Sequence, residues 1–384
     1  MRVLIAGGGT GGHLFPGIAL AEEVVTRHPK NDAIFVGTDR GLEARVVPQN
    51  GFVFEAIKSR GLKGMGLVKL LIGLLTLPLS FFAAIAILRR YKPDVVVGVG
   101  GYSSGPVVMT AWLLRIPTAI QEQNALPGVT NKILGKFVDA IFLSFEGALP
   151  FFPYSRSHVL GNPIRRGLLE NFLRSKVQHE TFTMLIFGGS LGAKGLNTRV
   201  LDALAHLQDL KGQIVITHQT GKNDLEAVKK GYADAGFTAD VREFIDDMAG
   251  AYLGADLVLC RAGATTLAEL TVCKKPSILV PFPFATDDHQ AVNAKALVDA
   301  GAAVMFREAE LTGEKLAATI KELKGDPARL QKMEKAAGNL GRPEAAREIA
   351  DVLQQLCLKK WGALTGQKRE GEPLRPKPPQ EKPQ

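Results

Sequence analysis

Three cysteines in 384 residues are too few for a disulfide framework. Cys260, Cys273 and Cys357 form no C-x-x-C pair and read as buried thiols in a reducing compartment, with no metal site among them. A D-x-D motif on a strand end is also missing. The adjacent acids Asp246-Asp247 and Asp287-Asp288 read as solvated or capping turn residues, so no metal is assigned. No secretory signal is expected, because the amino terminus begins a core strand at once. The net charge is +9, yet dense Lys/Arg runs interleaved with aromatics are absent, which argues against a nucleic-acid partner. Residues 1–161 carry 16 Lys+Arg against 10 Asp+Glu, so the cationic excess lies mainly in that half and suits an anionic membrane surface.

Short apolar strands instead alternate with helical patterns along the chain. That order predicts parallel sheets with helices on both faces, and the length predicts two domains. The expected strands are 2–6, 33–36, 52–56, 94–99, 117–121, 139–143 and 157–160, then 183–187, 213–217, 238–243, 256–259, 276–280 and 302–305. The boundary is placed at Gly161-Asn162-Pro163, giving domains 1–161 and 162–341, a C-terminal helix over 342–359 and a disordered Pro/Lys/Glu-rich tail over 360–384.

Two glycine-rich turns follow strands and open helices: Gly7-Gly8-Gly9-Thr10-Gly11-Gly12-His13 and Gly188-Gly189-Ser190-Leu191-Gly192-Ala193. Such a turn directs backbone N–H groups and the positive end of a helix dipole at one spot, which suits a phosphate. A third cluster, Gly98-Val99-Gly100-Gly101-Tyr102-Ser103-Ser104-Gly105-Pro106, adds a second anion-ready helix start in the first lobe. Gly7, Gly9 and Gly12 formally match G-x-G-x-x-G, but the second strand ends in Gly37-Thr38 with Asp39 slightly too late for a ribose. A nicotinamide or flavin cofactor is thereby disfavoured. His13, directly after the last glycine, is placed to take a proton from a substrate hydroxyl, or else merely to bond locally at a helix start.

From Leu70 to Leu88 no residue is charged, and basic residues flank the segment on both sides. It reads as a spanning helix, a buried core helix, or a helix bent or broken near Pro78 that is partly core and partly at a bilayer interface. The cationic collar favours the last. The patch is assigned to Leu70, Leu71, Ile72, Leu74, Leu75, Leu77, Leu79, Phe81 and Phe82 with Lys69, Arg89 and Arg90.

GGGTGGH at 7–13, GVGGYSSGP at 98–106, QEQN at 121–124, GNPIR at 161–165, GGSLGA at 188–193, CRAGATTLAEL at 260–270 and PFPFATDDHQAVNA at 281–294 come in a known order. With them the chain, over about 1–357, closely resembles the bacterial MurG-type N-acetylglucosaminyltransferases, which convert lipid I to lipid II in peptidoglycan synthesis. The resemblance implies an α/β GT-B fold, two Rossmann-like doubly wound parallel-sheet domains facing a cleft. It implies an inverting hexosyltransferase without a required metal or cofactor, peripheral on the cytoplasmic face of the inner membrane. The first domain would bind acceptor and membrane, and the second the UDP-sugar.

By the same resemblance UDP-N-acetylglucosamine is expected at Thr10, Gly11, Gly12, Asn124, Arg165, Ser190, Ile245, Ala264, Thr265, Thr266, Leu267, Glu269 and Gln290. Ser190 and Arg165 would meet the diphosphate, Ile245 the uracil, Glu269 both ribose hydroxyls and Gln290 the sugar. His289 stands where relatives often have a second glutamine, and Gln121 where they often have His. The acceptor diphosphate is expected at Gly9, Gly12, Gly100, Gly101, Tyr102 and Ser103, with the isoprenoid leaving toward the apolar segment. His13 is the expected general base and Glu122 the reserve. The expected partners are UDP-N-acetylglucosamine, lipid I and an anionic membrane surface, with other cell-wall synthesis proteins as further candidates. The rivals are another GT-B nucleotide-sugar glycosyltransferase with a lipid acceptor, a UDP-N-acetylglucosamine epimerase and a non-catalytic membrane scaffold of the same fold.

Overall fold

The computed structural model describes residues 1–361 apart from Arg40, 58–66, 175–180 and 190–191; inside helices, the side chains of 67–77, Asn171, 173–174 and Trp361 are also outside the description. The chain forms two units, Met1–Arg165 joined by the segment from Glu344 onward, and Arg166–Pro343. The division falls four residues beyond the Gly161-Asn162-Pro163 turn's first residue.

In the first unit β1 (Arg2–Gly7), β2 (Asp32–Gly37), β3 (Val53–Ala56), β4 (Val95–Gly100), β5 (Thr118–Glu122), β6 (Ala140–Leu143) and β7 (Ser157–Val159) form one parallel sheet in the order β3-β2-β1-β4-β5-β6-β7. Strand β1 explains why the sheet is covered on both faces. Val3 and Ile5 join a core with α1 (Gly11–Arg27), while Leu4 and Ala6 join another with α3 (Leu67–Tyr91) and α4 (Ser104–Leu113). All four are fully buried, the continuous apolar run that a two-sided parallel sheet requires. The remaining helices of this portion are α2 (Glu43–Gln49) and α5 (Val129–Leu134).

The second unit opens with α6 (Arg166–Arg174) and carries β8 (Phe182–Phe187), β9 (Ile214–Gln219), β10 (Ala239–Arg242), β11 (Leu257–Cys260), β12 (Ser277–Leu279) and β13 (Ala303–Met305), parallel in the order β10-β9-β8-β11-β12-β13. Its other helices are α7 (Lys194–Leu204), α8 (Leu225–Ala235), α9 (Met248–Leu253), α10 (Ala264–Val272), α11 (His289–Asp299), α12 (Gly313–Gly325) and α13 (Pro327–Leu340). All thirteen expected strands are present, their ends within two residues of expectation.

The last helix, α14 (Ala345–Trp361), belongs to the first unit. Ile349, Ala350 and Leu353 are fully buried in the α1 core, and Arg27 bonds Asp351 at 2.6 Å and the Arg347 carbonyl at 2.6 Å. The helix runs two residues into the tail expected over 360–384, and the rest of that tail lies outside the described residues.

Strand order changes direction between β1 and β4 in one sheet and between β8 and β11 in the other. Open parallel sheets bind ligands beyond the carboxyl ends of the strands at such a switch point. Three of the glycine clusters named above, 7–13, 98–105 and 188–193, follow β1, β4 and β8. The turn Arg261-Ala262-Gly263 follows β11.

Candidate active site

In the first unit the loops after β1 and β4 are built against each other. The Gly8 N–H donates to the Gly100 carbonyl at 3.3 Å, and the His13 ring packs on Gly100. A Cβ at Gly100 would stand 2.9 Å from His13 Cδ2 and 3.0 Å from Nε2, and Gly100 itself has φ +95°. Thr10 caps α1, accepting the N–H groups of His13 and Leu14, and its Oγ1 lies 3.4 Å from His13 Nδ1. Which of the two donates depends on the imidazole tautomer.

The Gly9 N–H donates to Glu43 Oε2 at 2.8 Å. Glu43 is 1% exposed, and its Oε1 accepts the N–H and hydroxyl of Thr38, both at 2.9 Å. Burial pushes this carboxyl up, but the Gly9 and Thr38 donors outweigh it and hold the group below its usual range. The glycine loop thus carries an anion of its own at this end. The remaining expected acceptor residues start α4: Gly101 has φ +83°, Tyr102 is exposed, Ser103 is buried, and Ser104 Oγ donates to the Gly101 carbonyl at 2.9 Å.

Glu122, at the end of β5, is 2% exposed and fully engaged. Its carboxylate accepts from the Asn124 N–H at 2.9 Å, Asn124 Nδ2 at 3.3 Å, the Gly128 N–H at 3.2 Å and Asn131 Nδ2 at 2.9 Å. That geometry occupies both carboxylate oxygens and shapes the 123–128 loop. Gln121 donates to Ser144 Oγ and the Gly161 carbonyl, both at 3.2 Å. Arg165 stacks its guanidinium on Phe15, 4.8 Å from the ring centroid, with a buried Nε that has no hydrogen-bond partner among the described residues.

In the second unit Ser190 lies outside the described residues; its neighbours are held from behind. The Gly189 carbonyl accepts from the Gly192 N–H at 3.0 Å and from Gln219 Nε2 at 2.9 Å, while Gln219 Oε1 accepts the Ile245 N–H at 2.8 Å. Ile245 is buried and Phe244 beside it is half exposed. Ala264, Thr265, Thr266 and Leu267 form the first turn of α10, capped by Gly263. One turn on, Glu269 Oε2 accepts the hydroxyl of the fully buried Tyr252 at 3.0 Å. Gln290, on α11, accepts the Phe282 N–H at 2.9 Å. The two Asp pairs have structural partners: Asp247 caps α9 through the Gly250 N–H at 2.9 Å, and Asp288 is ion-paired with Arg307 at 2.6 Å. No cluster of metal-ligating side chains occurs among the described residues.

The apolar segment is one continuous helix, α3, that passes through Pro78 and is not broken there. A helix tolerates an internal proline when neighbouring packing offsets the lost backbone bond. Ala84, Ile87, Leu88 and Tyr91 pack on the sheet, whereas Leu79 and Phe82 are 60% and 69% exposed and Phe81 is partly buried. Arg89 and Arg90 are exposed near its end, Arg90 pairing with Glu55 at 3.2 Å. For Lys69, Leu70, Leu71, Ile72, Leu74, Leu75 and Leu77 the helix is described and the side chains are not. No helix among the described residues is long and apolar enough to cross a membrane.

Residues 3–143 match the glycosyltransferase family 28 N-terminal domain and residues 183–355 its C-terminal domain. The chain belongs to glycosyltransferase family 28. Within that family it is 67% identical over 362 residues to the UDP-N-acetylglucosamine–N-acetylmuramyl-(pentapeptide) pyrophosphoryl-undecaprenol N-acetylglucosamine transferase of Myxococcus xanthus, which spans 94% of each chain. The protein of the same name from Anaeromyxobacter sp. strain Fw109-5 is 61% identical across 98% of this chain and 99% of its own. Among solved structures, Acinetobacter baumannii MurG superposes with a TM-score of 0.75 at 33% identity, covering 92% of this chain and 99% of that one.

For a family 28 chain, four groups that sequence reasoning passed over organise the loops. Glu43 fastens the first glycine loop to the end of β2, Gln219 ties the second to Ile245, and Tyr252 steadies Glu269. Arg261 pairs with Glu308 and donates to the carbonyls of Val280 and Pro281, both at 3.2 Å, so it anchors the segment that leads to Gln290. Gly8, Gly37 and Gly41 crowd around Glu43, and those glycines were the available signal for it.

Proposed function

We propose that this family 28 chain transfers N-acetylglucosamine from UDP-N-acetylglucosamine to the 4-hydroxyl of the muramoyl sugar in lipid I, giving lipid II. The observation that carries this reading is the 67% identity, over 94% of both chains, to a transferase named for that reaction. The donor is bound by the second unit. The α10 N-terminus with Ala264 to Leu267 reads the sugar-nucleotide, Glu269 accepts from both ribose hydroxyls, Gln290 holds the sugar and the Ile245 segment takes the uracil. The 188–193 turn, with Ser190, cradles the diphosphate, and Arg165 adds positive charge.

The acceptor diphosphate lies at Gly9 and Gly12 and at Gly100 to Ser103, where two helices start. His13 Nε2 takes the proton of the attacking hydroxyl. That oxygen bonds to the anomeric carbon as the bond to UDP breaks, so an α-linked donor gives a β-linked product. Helix dipole, hydroxyl and guanidinium stabilise the charge that develops on departing UDP. The outer face of α3 rests on anionic lipid at the cytoplasmic side of the membrane, where Leu79 and Phe82 enter the interface and Arg89 and Arg90 meet the headgroups.

The test is incubation with labelled UDP-N-acetylglucosamine and either a lipid I analogue or the same analogue lacking the muramoyl 4-hydroxyl. Label is expected in the lipid fraction for the first alone. Hydrolysis or epimerisation of the donor without transfer contradicts the assignment.

A further inference from the structure

The segment at the end of β9 touches both of the turns assigned to UDP. On one side Gln219 Nε2 donates to the Gly189 carbonyl at 2.9 Å, and Gly192, at φ +76°, lies so close to the Thr220 carbonyl that no side chain fits there. Asn197, in the helix that follows, donates through Nδ2 to the same Thr220 carbonyl at 3.0 Å. On the other side the Thr220 N–H bonds the Arg242 carbonyl at 3.0 Å, the Gly221 N–H bonds the Glu243 carbonyl at 3.1 Å, and Gln219 Oε1 accepts the Ile245 N–H at 2.8 Å. Gln219 is 3% exposed, Thr220 1% and Ile245 2%. The primary amide of Gln219 bonds both turns, donating to one and accepting from the other. A carboxylate of the same length has no donor for Gly189, and an ammonium has no acceptor for Ile245.

We propose that Gln219 is a positioning residue that couples the diphosphate turn to the uracil segment, so that one side chain sets the distance between the two ends of the UDP site. The inference rests on the donor-site reading given above. It predicts that loss of the amide loosens the nucleoside and the phosphates together and leaves the acceptor's affinity unchanged.

The experiment compares wild type, Gln219→Glu and Gln219→Met by calorimetric titration with uridine, UMP and UDP, with donor and acceptor KM from transfer assays and circular dichroism as the check on folding. Gln219→Glu keeps the acceptor for Ile245, and Gln219→Met removes both bonds at similar volume. Each variant is expected to weaken UDP binding about tenfold or more, because Gln219→Met leaves the buried Ile245 N–H unpaired and Gln219→Glu sets a carboxylate against the Gly189 carbonyl. For Gln219→Met, part of the loss should appear with uridine and part in the added affinity from uridine to UDP, while the acceptor KM stays near wild type. Unchanged UDP affinity in a folded variant, a Gln219→Met loss confined to one end of the nucleotide, or an equal rise in acceptor KM overturns the proposal. A wild type that binds no UDP contradicts the donor-site reading itself. If Gln219→Met does not fold, Gln219→Glu decides by whether UDP affinity falls at an unchanged acceptor KM.

Discussion

At the level of single residues, buried polar groups set the two loop systems, and their partners give measurable consequences. Tyr252 has no exposed surface, and its hydroxyl is spent on Glu269, a group assigned to the ribose. Tyr252→Phe removes that bond with little change of shape. The donor KM should rise about 3- to 20-fold, equivalent to one lost charge-assisted hydrogen bond, with kcat and acceptor KM nearly unchanged. An equal fall in kcat would mean that Tyr252 acts on the chemistry. His218 makes the second case. Fully buried between the Tyr232 hydroxyl at 3.0 Å and Asn197 Oδ1 at 3.1 Å, it is pushed by burial from 6.5 down to about 3. The unfolded chain therefore binds one more proton than the fold between those values. Stability from this group is complete above pH 6.5 and is lost progressively as pH falls toward 3, at about 1.4 kcal/mol per pH unit. In urea unfolding between pH 6 and 4, His218→Gln should be less stable at neutral pH yet show a slope shallower by about one proton. Equal slopes would contradict the burial argument.

Among the elements, strands and their connecting turns were legible because a parallel sheet buried on both faces leaves a strong imprint. Val3 to Ala6 and Met184 to Phe187 are uninterrupted apolar runs, and each is followed by glycines. The carboxyl-end loops followed from the same logic, so His13, Gly100, Glu269 and Gln290 could be named from neighbouring motifs. Glu43, Gln219 and Tyr252 could not. Apart from Thr38, five residues from Glu43, their partners are backbone groups or side chains 17 to 34 residues away, which leave no spacing pattern. The same reason hides the return of α14 to the first unit, since an amphipathic helix does not say which surface it covers. Helix α3 was expected to be partly core and bent or broken near Pro78; it packs Ala84, Ile87, Leu88 and Tyr91 on the sheet and runs unbroken through Pro78. Its outer face carries a prediction. Leu79→Ser with Phe82→Ser should reduce sedimentation with vesicles containing anionic phospholipid by about tenfold or more, given the apolar area removed from lipid contact, and leave UDP affinity intact. Binding to vesicles that survives the double change would move the membrane surface elsewhere.

For the whole molecule, each of the two parallel-sheet units carries a glycine-rich loop at the switch point of its sheet, and the proposed reading gives the donor to one and the acceptor to the other. No single residue distinguishes this arrangement from an epimerase or a silent scaffold of similar fold. Transfer to lipid does. His13 is where the account is most exposed, because the proposed base lies on the first unit and has no required role in holding UDP. The deciding measurement is single-turnover transfer of labelled N-acetylglucosamine from UDP to a lipid I analogue, by wild type and His13→Ala side by side, with UDP binding measured on both. The account predicts β-linked product from the wild type and a loss of about 10²- to 10⁴-fold in the variant at unchanged UDP affinity. Transfer at similar rates by both proteins would contradict His13 as the base, and absence of transfer by a folded, UDP-binding wild type would contradict the proposed reaction.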